Sequence, residues 1–257
     1  MLNLRQPKSF ALFVRSAYGD LLMVAPLINF IKQQNIDHKV TLFVEDKKRW
    51  TDWMINHPVK YNEKIYHGQH YALGILQLLN PEIHNITESL YPKLRKYFDK
   101  NNSSNISILT SVSNNRKSCQ LDNLTIANIL NKVYEKYNIQ VFISTFNKDL
   151  DRAEDLQKLL KPESNIKITP SIRLYLKLIN SVDLCFFGEG GGAHMTAALE
   201  VSQVVLFGHT SVLTWGPLSN QAVVLSDKSN VNNIPVDKIL SALEVRLNAI
   251  KLNKQLT

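Results

Sequence analysis

The sequence predicts an α/β protein with parallel sheets, organised as two units facing a cleft. Three observations carry this expectation. Short apolar runs of strand length alternate with stretches of helical spacing along the chain, the pattern of βαβ units. The alternation stops at the polar stretch KNNSSN (100–105) and then restarts, as at a linker. Four of the nine glycines fall between Gly188 and Gly192, where a strand-like run gives way to a helix-like one.

The first run, Phe10–Val14, is wholly apolar, as a parallel strand covered on both faces requires. SAYGD (16–20) breaks it, and Leu21–Gln34 has helical spacing. Pro26 lies inside that helix, where it removes one hydrogen bond and predicts a kink. Val40–Val44 reads as the second strand. Residues 47–103 give a weaker and mostly helical signal. The linker places the boundary between units at 1–103 and 104–257.

In the second unit Ile106–Leu109 reads as a strand and SVSNNRKSC as a loop. Asn123–Tyr137 follows as a helix with apolar positions at 126, 129, 130 and 133. Val141–Ile143 is a strand and Asp149–Leu160 a helix. Thr169 and Pro170 predict a helix start, with Thr as cap and Pro at the first helical position. Asp183–Phe187 is a strand, followed by the glycine loop and a helix to Leu199. Val204–Phe207 is the last clear strand, and 236–252 a closing amphipathic helix.

Composition narrows the function classes. With 44% hydrophobic and 20% charged residues, the chain is ordinary for a globular domain. Its net charge of +8 is spread: 14 basic against 9 acidic residues in 1–100, and 16 against 13 in the rest. No cationic block emerges, which argues against nucleic acid as the main partner. Anionic small molecules and an anionic membrane surface remain compatible. Cys119 and Cys185 form neither a disulfide framework nor a metal-binding pair. No secretory pattern opens the chain, so the expectation is a cytoplasmic protein. Residues 201–226 carry no Asp, Glu, Lys or Arg, but Gly208, Gly216 and Pro217 favour a buried strand plus loop over a membrane span.

The glycine loop calls for a ligand. The first amides of a helix lack intrahelical partners and carry the positive end of its dipole, so a phosphate is the natural occupant. Taken literally GEGGGA fits a dinucleotide fingerprint, but no acidic residue follows about twenty positions on; Gly208-His209-Thr210 stands there instead. The alternative is a turn that needs glycine for tight strand–helix packing, with His194 bonded locally.

Three segments together resemble the heptosyltransferase family of bacterial glycosyltransferases, family nine. VRSAYGDLLMVAPLINFIK (14–32) is similar to its first strand, S-x-x-G-D turn and helix. SNNRKSCQLDNL (113–124) is similar to its Lys-containing loop. DLCFFGEGGGAHMTAALEVSQVVLFGHTSVLTWGP (183–217) follows its glycine loop, first-turn His, V-x-L-F-G-P-T and W-G-P over some thirty-five residues. Residues 47–103 match poorly, and the chain reads as a shortened member with an abbreviated N-terminal half.

The resemblance implies a GT-B-like fold of two Rossmann-like doubly wound domains, with acceptor on residues 1–103 and nucleotide sugar on 104–257. It implies inverting transfer without a metal or other cofactor, from a nucleotide-diphosphate sugar to a glycan or glycolipid acceptor such as a lipopolysaccharide core precursor. Asp20 matches the family's catalytic Asp and would serve as base; an ordinary helix cap is its alternative role. Arg116 and Lys117 would supply cations to the departing nucleotide. His194 would reach a phosphate oxygen, and Thr210 would add a hydroxyl contact. Glu189, Gly190, Gly191 and Gly192 complete the donor set, with Gly19, Lys48 and Arg49 toward the acceptor.

Departures from the family pattern accompany the match. Glu189 stands for an Asp, Gly190 for Thr or Ser, His209 for a Pro, and Cys119-Gln120 for a Trp-Pro. KKRWTDW (47–53) suits docking to a phosphorylated glycolipid or the anionic inner face of the inner membrane, or else an ordinary helix start. Two rivals share the architecture: a sugar-nucleotide epimerase, and a nucleotide-sugar-binding module without catalysis.

Overall fold

The computed structural model describes residues 8–14, 18–44, 69–77, 79–80, 82–94, 105–114 and 116–255. Lys48, Arg49 and the rest of KKRWTDW lie outside these residues, as do the side chains of Gly19's neighbours Tyr18 and Asp20. The chain forms two compact units: Met1–Pro92 with Leu213–Leu218, and Lys93–Val212 with Ser219–Thr257.

In the first unit β1 (Ser9–Val14) pairs in parallel with β2 (Lys39–Val44), Ser9 opposite Lys39 and Val14 opposite Val44. Parallel neighbours need a crossover, and α1 (Tyr18–Gln34) supplies it, with Pro26 inside. The helix begins three residues before the expected Leu21, so Gly19 and Asp20 lie in its first turn and not in a break ahead of it. Asp20 is therefore not a cap residue; an acid is favoured in the first turn by the helix dipole.

Val24, Leu27 and Ile31 recur along α1 at helical spacing and pack with Leu76 and Leu90 in this unit's core. Leu76 belongs to α2 (Tyr71–Gln77). The amide of Asn29 donates to the carbonyls of Leu90 and Tyr91 at 3.0 and 3.3 Å, fastening the end of this unit to α1.

Segment Leu213–Leu218 belongs to this unit and meets it at Tyr71 and His70. The Trp215 ring stacks on Tyr71 with centroids 4.8 Å apart. Gly216 offers its carbonyl to Nε2 of His70 at 3.0 Å, while Nδ1 of His70 accepts the amide of Ala72 at the start of α2. A ring nitrogen that accepts an N–H carries no proton, so His70 is the neutral tautomer with its proton on Nε2. Burial holds its pKa below the ordinary 6.5, against the opposing pull of the Gly216 carbonyl.

The second unit is a six-stranded sheet, every neighbouring pair parallel. Its strands are β3 (Ser107–Ser111), β4 (Gln140–Thr145), β5 (Ser164–Ile168), β6 (Leu184–Gly188), β7 (Ser202–Phe207) and β8 (Ala222–Ser226). The order across the sheet is β5-β4-β3-β6-β7-β8. Counted from β3, this is the doubly wound 3-2-1-4-5-6 order. All six residues of β7 are buried, as are Leu184–Phe187 of β6. These are the central strands, covered on both faces, and they carry the most continuous apolar runs.

Helices α3 (Asn123–Tyr137), α4 (Leu150–Leu159), α5 (Ile172–Asn180), α6 (Gly191–Ala198) and α8 (Val236–Gln255) surround the sheet, with a single turn, α7 (Val212–Trp215), between β7 and β8. Ile126, Ile129, Leu130 and Val133 of α3 join the core, together with Ile239, Leu243 and Leu247 of α8. The expected cap at Thr169 is corrected: α5 is capped by Ser171, whose hydroxyl accepts the amide of Leu174 at 3.3 Å. Pro170 precedes the cap. Two strands, β5 and β8, are additions to the expected set. Among the described residues no helix is long and apolar enough to cross a membrane.

Candidate functional site

The sheet order itself locates a site. The strand order reverses between β3 and β6, from which successive strands are added outward in opposite directions, and in doubly wound sheets ligands bind beyond the carboxyl ends of the strands at that switch point. Here the loop after β3 meets the loop after β6. A short 3₁₀ turn, Lys117–Cys119, lies across the strand ends. A Cβ on Gly188 would stand 1.7 Å from the Cys119 carbonyl oxygen, and one on Gly208 2.4 Å from that of Ser118. Gly188 ends β6 and Gly208 directly follows β7, and no side chain fits at either place.

The clustered glycines thus serve different ends. Gly188 lets the 3₁₀ turn settle on the sheet. Gly192 makes room for Tyr175, whose hydroxyl lies 2.6 Å from where a Cβ would be. That hydroxyl is desolvated, and burial raises its pKa above the ordinary 10. Gly190 faces open space, but its backbone has φ 155° and ψ −173°, a region that only glycine occupies readily.

Gly190 precedes α6 and offers no side chain to cap it, so no side chain caps the helix start. The amide of Ala193 is taken up by the Gly190 carbonyl at 3.1 Å. The first helical residues, Gly191 and Gly192, present bare backbone at the positive end of the helix. His194 is half-buried one turn into α6. Lys117 is exposed on the 3₁₀ turn, and among the described residues its ammonium has no hydrogen-bond or ion-pair partner. The structure brings Lys117, Gly190–Gly192 and His194 to the loops at one end of this sheet.

Arg116, Glu189 and Thr210 are engaged with one another. The Glu189 side chain is buried, 4% exposed, and its carboxylate accepts from Arg116 Nη1 at 3.0 Å, from Cys119 Sγ at 3.0 Å and from the Thr210 hydroxyl. Its backbone is held as well: the amide donates to Leu206 at 2.8 Å, and the carbonyl accepts from Asn114 Nδ2 at 3.0 Å. A carboxylate this deeply buried needs a cation and further donors to offset its lost hydration, and it has both. Burial, reinforced by the Glu189 carboxylate, pushes the Cys119 thiol above its ordinary pKa of 9.0, so the thiol remains a donor.

Three further participants have no role assigned from the sequence, where Gln120 is noted only as a departure from the family pattern. Asn114 bridges the carbonyls of Cys119 and Glu189. The Ser118 hydroxyl lies 2.7 Å from Nδ1 of His209, joining the loops after β3 and β7. Gln120 donates to the Val112 carbonyl at 2.7 Å and closes the base of the loop. All three lie in a dense polar run, SNNRKSCQ, after a strand. In the first unit, Gly19 and Asp20 sit in the first turn of α1. Among the described residues no three His, Cys, Asp or Glu side chains gather where they could hold a metal ion.

Comparison with known proteins decides the family. The sequence profile of glycosyltransferase family 9 (heptosyltransferase) matches residues 84–241, more than half of the chain. The chain belongs to glycosyltransferase family 9. The match takes in the loop after β3, the glycine loop and the Trp215-Gly216-Pro217 segment, which are two of the three segments that carry the resemblance; the third, residues 14–32, lies outside it. No curated protein matches by sequence.

Solved structures agree on the fold at low identity. The family 9 glycosyl transferase from Veillonella parvula superposes with a TM-score of 0.74 at 11% identity, over 96% of this chain and 99% of that one. The ADP-heptose lipopolysaccharide heptosyltransferase II of E. coli gives 0.70 at 12%, over 95% and 99%. The E. coli heptosyltransferase WaaC, solved with ADP, gives 0.65 at 11%, over 93% and 99%. This family 9 chain is thus a glycosyltransferase with an α/β, GT-B-like fold of Rossmann-like make-up.

Proposed function

We propose that this glycosyltransferase is inverting and metal-independent, and moves a sugar from a nucleoside-diphosphate donor to a precursor of a bacterial surface glycan. Heptose is the first candidate for the sugar and a lipopolysaccharide core precursor for the acceptor. The observation that carries the reading is the uncapped start of α6 at the switch point of the six-stranded sheet, next to the loop of Lys117. One structural relative, the E. coli heptosyltransferase WaaC, was solved both with ADP and with ADP-2-deoxy-2-fluoro heptose, which makes a nucleoside diphosphate the first ligand to try.

In this reading the donor pyrophosphate rests on the amides of Gly191 and Gly192, with Lys117 and His194 beside it. As the bond from the anomeric carbon to phosphate breaks, charge develops on the nucleoside diphosphate. The helix end and Lys117 stabilise that charge without rearranging. Asp20 takes the proton of the acceptor hydroxyl as its oxygen attacks the anomeric carbon from the opposite face. Residues 104–257 then hold the donor. Residues 1–103 hold the acceptor, with Gly19, Lys48 and Arg49 in contact, on a cytoplasmic protein resting peripherally on the inner face of the inner membrane.

Thermal shift and calorimetry with ADP, GDP, UDP and inorganic pyrophosphate test the donor half, since a ligand stabilises in proportion to its occupancy. Replacing Asp20 by Asn tests the chemistry. Binding of the nucleotide persists and transfer stops. Turnover within about tenfold of the natural enzyme removes Asp20 as base, because a general base is worth roughly 10²-fold or more. Activity that survives a chelator agrees with the metal-free route, and loss of activity overturns it. Conversion of the donor without an acceptor would reveal an epimerase instead.

A further inference from the structure

Glu189 stands where the family resemblance puts a donor-binding acid, yet its geometry describes another task. We propose that Glu189 is a positioning residue. Its buried carboxylate gathers the loops after β3, β6 and β7 into one platform and neutralises Arg116, so that Lys117, His194 and the start of α6 hold the anion. The proposal rests on the reading of that site as an anion site.

Glu189 belongs to the loop after β6, and each of the other two loops is tied to it by its own bonds. The loop after β3 supplies Arg116 Nη1 at 3.0 Å, Cys119 Sγ at 3.0 Å and, to the backbone carbonyl, Asn114 Nδ2 at 3.0 Å. The loop after β7 supplies the Thr210 hydroxyl. β7 itself accepts the Glu189 amide at the Leu206 carbonyl, 2.8 Å away. With one carboxylate oxygen serving Arg116 and Cys119 and the other serving Thr210, a side chain only 4% exposed has no edge left for a substrate hydroxyl. Arg116 gives Glu189 one Nη1 bond and is otherwise exposed, but its charge is balanced by Glu189 before any ligand arrives. A longer acid than Asp reaches Arg116, Cys119 and Thr210 together, and Cys119 and Thr210 each place a donor on it.

The task separates cleanly from direct ligand contact. A residue that touches the sugar affects sugar nucleotides and spares pyrophosphate. One that holds the loops affects every ligand of the platform by the same factor. Arg116 and Glu189 acting as one pair should also give non-additive effects.

Calorimetric titration with inorganic pyrophosphate, ADP and an ADP-sugar is run on the natural protein and on Glu189→Gln, Arg116→Met and the double variant. Glu189→Gln keeps the shape and an acceptor oxygen while losing the charge. We expect it to weaken all three ligands by a common factor of about ten, and the double variant to be no weaker than the worse single. Loss confined to the ADP-sugar, or additive losses, would overturn the proposal.

Cys119 supplies a readout that needs no ligand. In the natural protein its thiol is 1% exposed and bonded to Glu189, so it reacts slowly with a small aromatic disulfide reagent. Glu189→Ala should speed that reaction at least tenfold while the cooperative melt is retained, and Glu189→Gln should restore most of the slow rate. Cys185, fully buried with its pKa pushed up to about 12, stays silent. An unchanged rate in Glu189→Ala sinks the proposal. A faster rate in a protein that binds no pyrophosphate upholds the platform and removes the anion reading alone.

Discussion

The carbonyl oxygen of Cys119 occupies the place where Gly188 would carry a side chain, 1.7 Å from a Cβ built there. The obstacle is backbone, at the crowded end of β6, and it cannot swing aside. Gly188→Ala should therefore cost about 3 kcal/mol, the upper part of the range for overpacked interiors. Gly192→Ala meets only the tip of Tyr175 at 2.6 Å and should cost about 1 kcal/mol. Denaturant melts of the two variants give the ranking directly, and equal losses would contradict the geometry.

A second stability prediction concerns the opposite end of the sheet. Oδ2 of Asp183 accepts the amide of Ser107 at 2.9 Å, the Ser107 hydroxyl at 3.0 Å and the ammonium of Lys254 at 2.9 Å. The carboxylate is 7% exposed, so Asp183→Ala strands a buried amide and leaves Lys254 at the end of α8 with its bond to the Asn105 carbonyl. A loss of about 2 kcal/mol is expected in denaturant unfolding, the cost of a buried donor left without its charged partner. Lys254→Met, which leaves both Ser107 bonds in place, should lose less than half of that.

The central strands were legible because burial on both faces leaves an unbroken apolar run, as in LCFF and VVLF. The edge strands were not. β5 reads SNIKI, with one neighbour only and an exposed Ile168, and β8 follows the polar SNQ without a break in charge that would mark it. An edge strand is half solvated, so its pattern fades into that of a loop. The cap of α5 was misplaced for a related reason: Thr169-Pro170 offers a plausible start, and only the hydrogen bond from Leu174 to Ser171 singles out the true one. At the site, glycine density located the loop. The bonds from Arg116 and Thr210 to Glu189 span 73 and 21 residues and leave no periodic mark.

His70 should make stability depend on pH. Its Nδ1 accepts the Ala72 amide at 3.3 Å, and a proton there would face that N–H. Burial keeps the folded pKa below 6.5, so between those values the unfolded chain binds the proton and the folded chain refuses it. Stability is then fully present above about pH 6.5, falls as pH drops below it, and levels off once the folded ring is itself protonated. Melting temperatures from pH 5 to 8, compared with those of His70→Gln, isolate this contribution; the variant should show the shallower acid limb. Identical limbs would mean that the ring protonates in the folded state as easily as in the unfolded chain.

Gly190→Ser gives the sharpest test of what the glycine loop does. The substitution restores the hydroxyl that family resemblance places there, and the space around the position is open, so no clash follows. The backbone decides the outcome. At φ 155° a serine is strained by roughly 1–3 kcal/mol, and the strain is relieved by turning the peptide that leads into α6. That movement re-aims the amides of Gly191 and Gly192. Pyrophosphate binding should weaken by about tenfold, the equivalent of some 1.4 kcal/mol, with only a modest fall in melting temperature. If the serine variant instead binds pyrophosphate more tightly, the added hydroxyl outweighs the amide geometry, and the anion is held by side chains in place of the helix start.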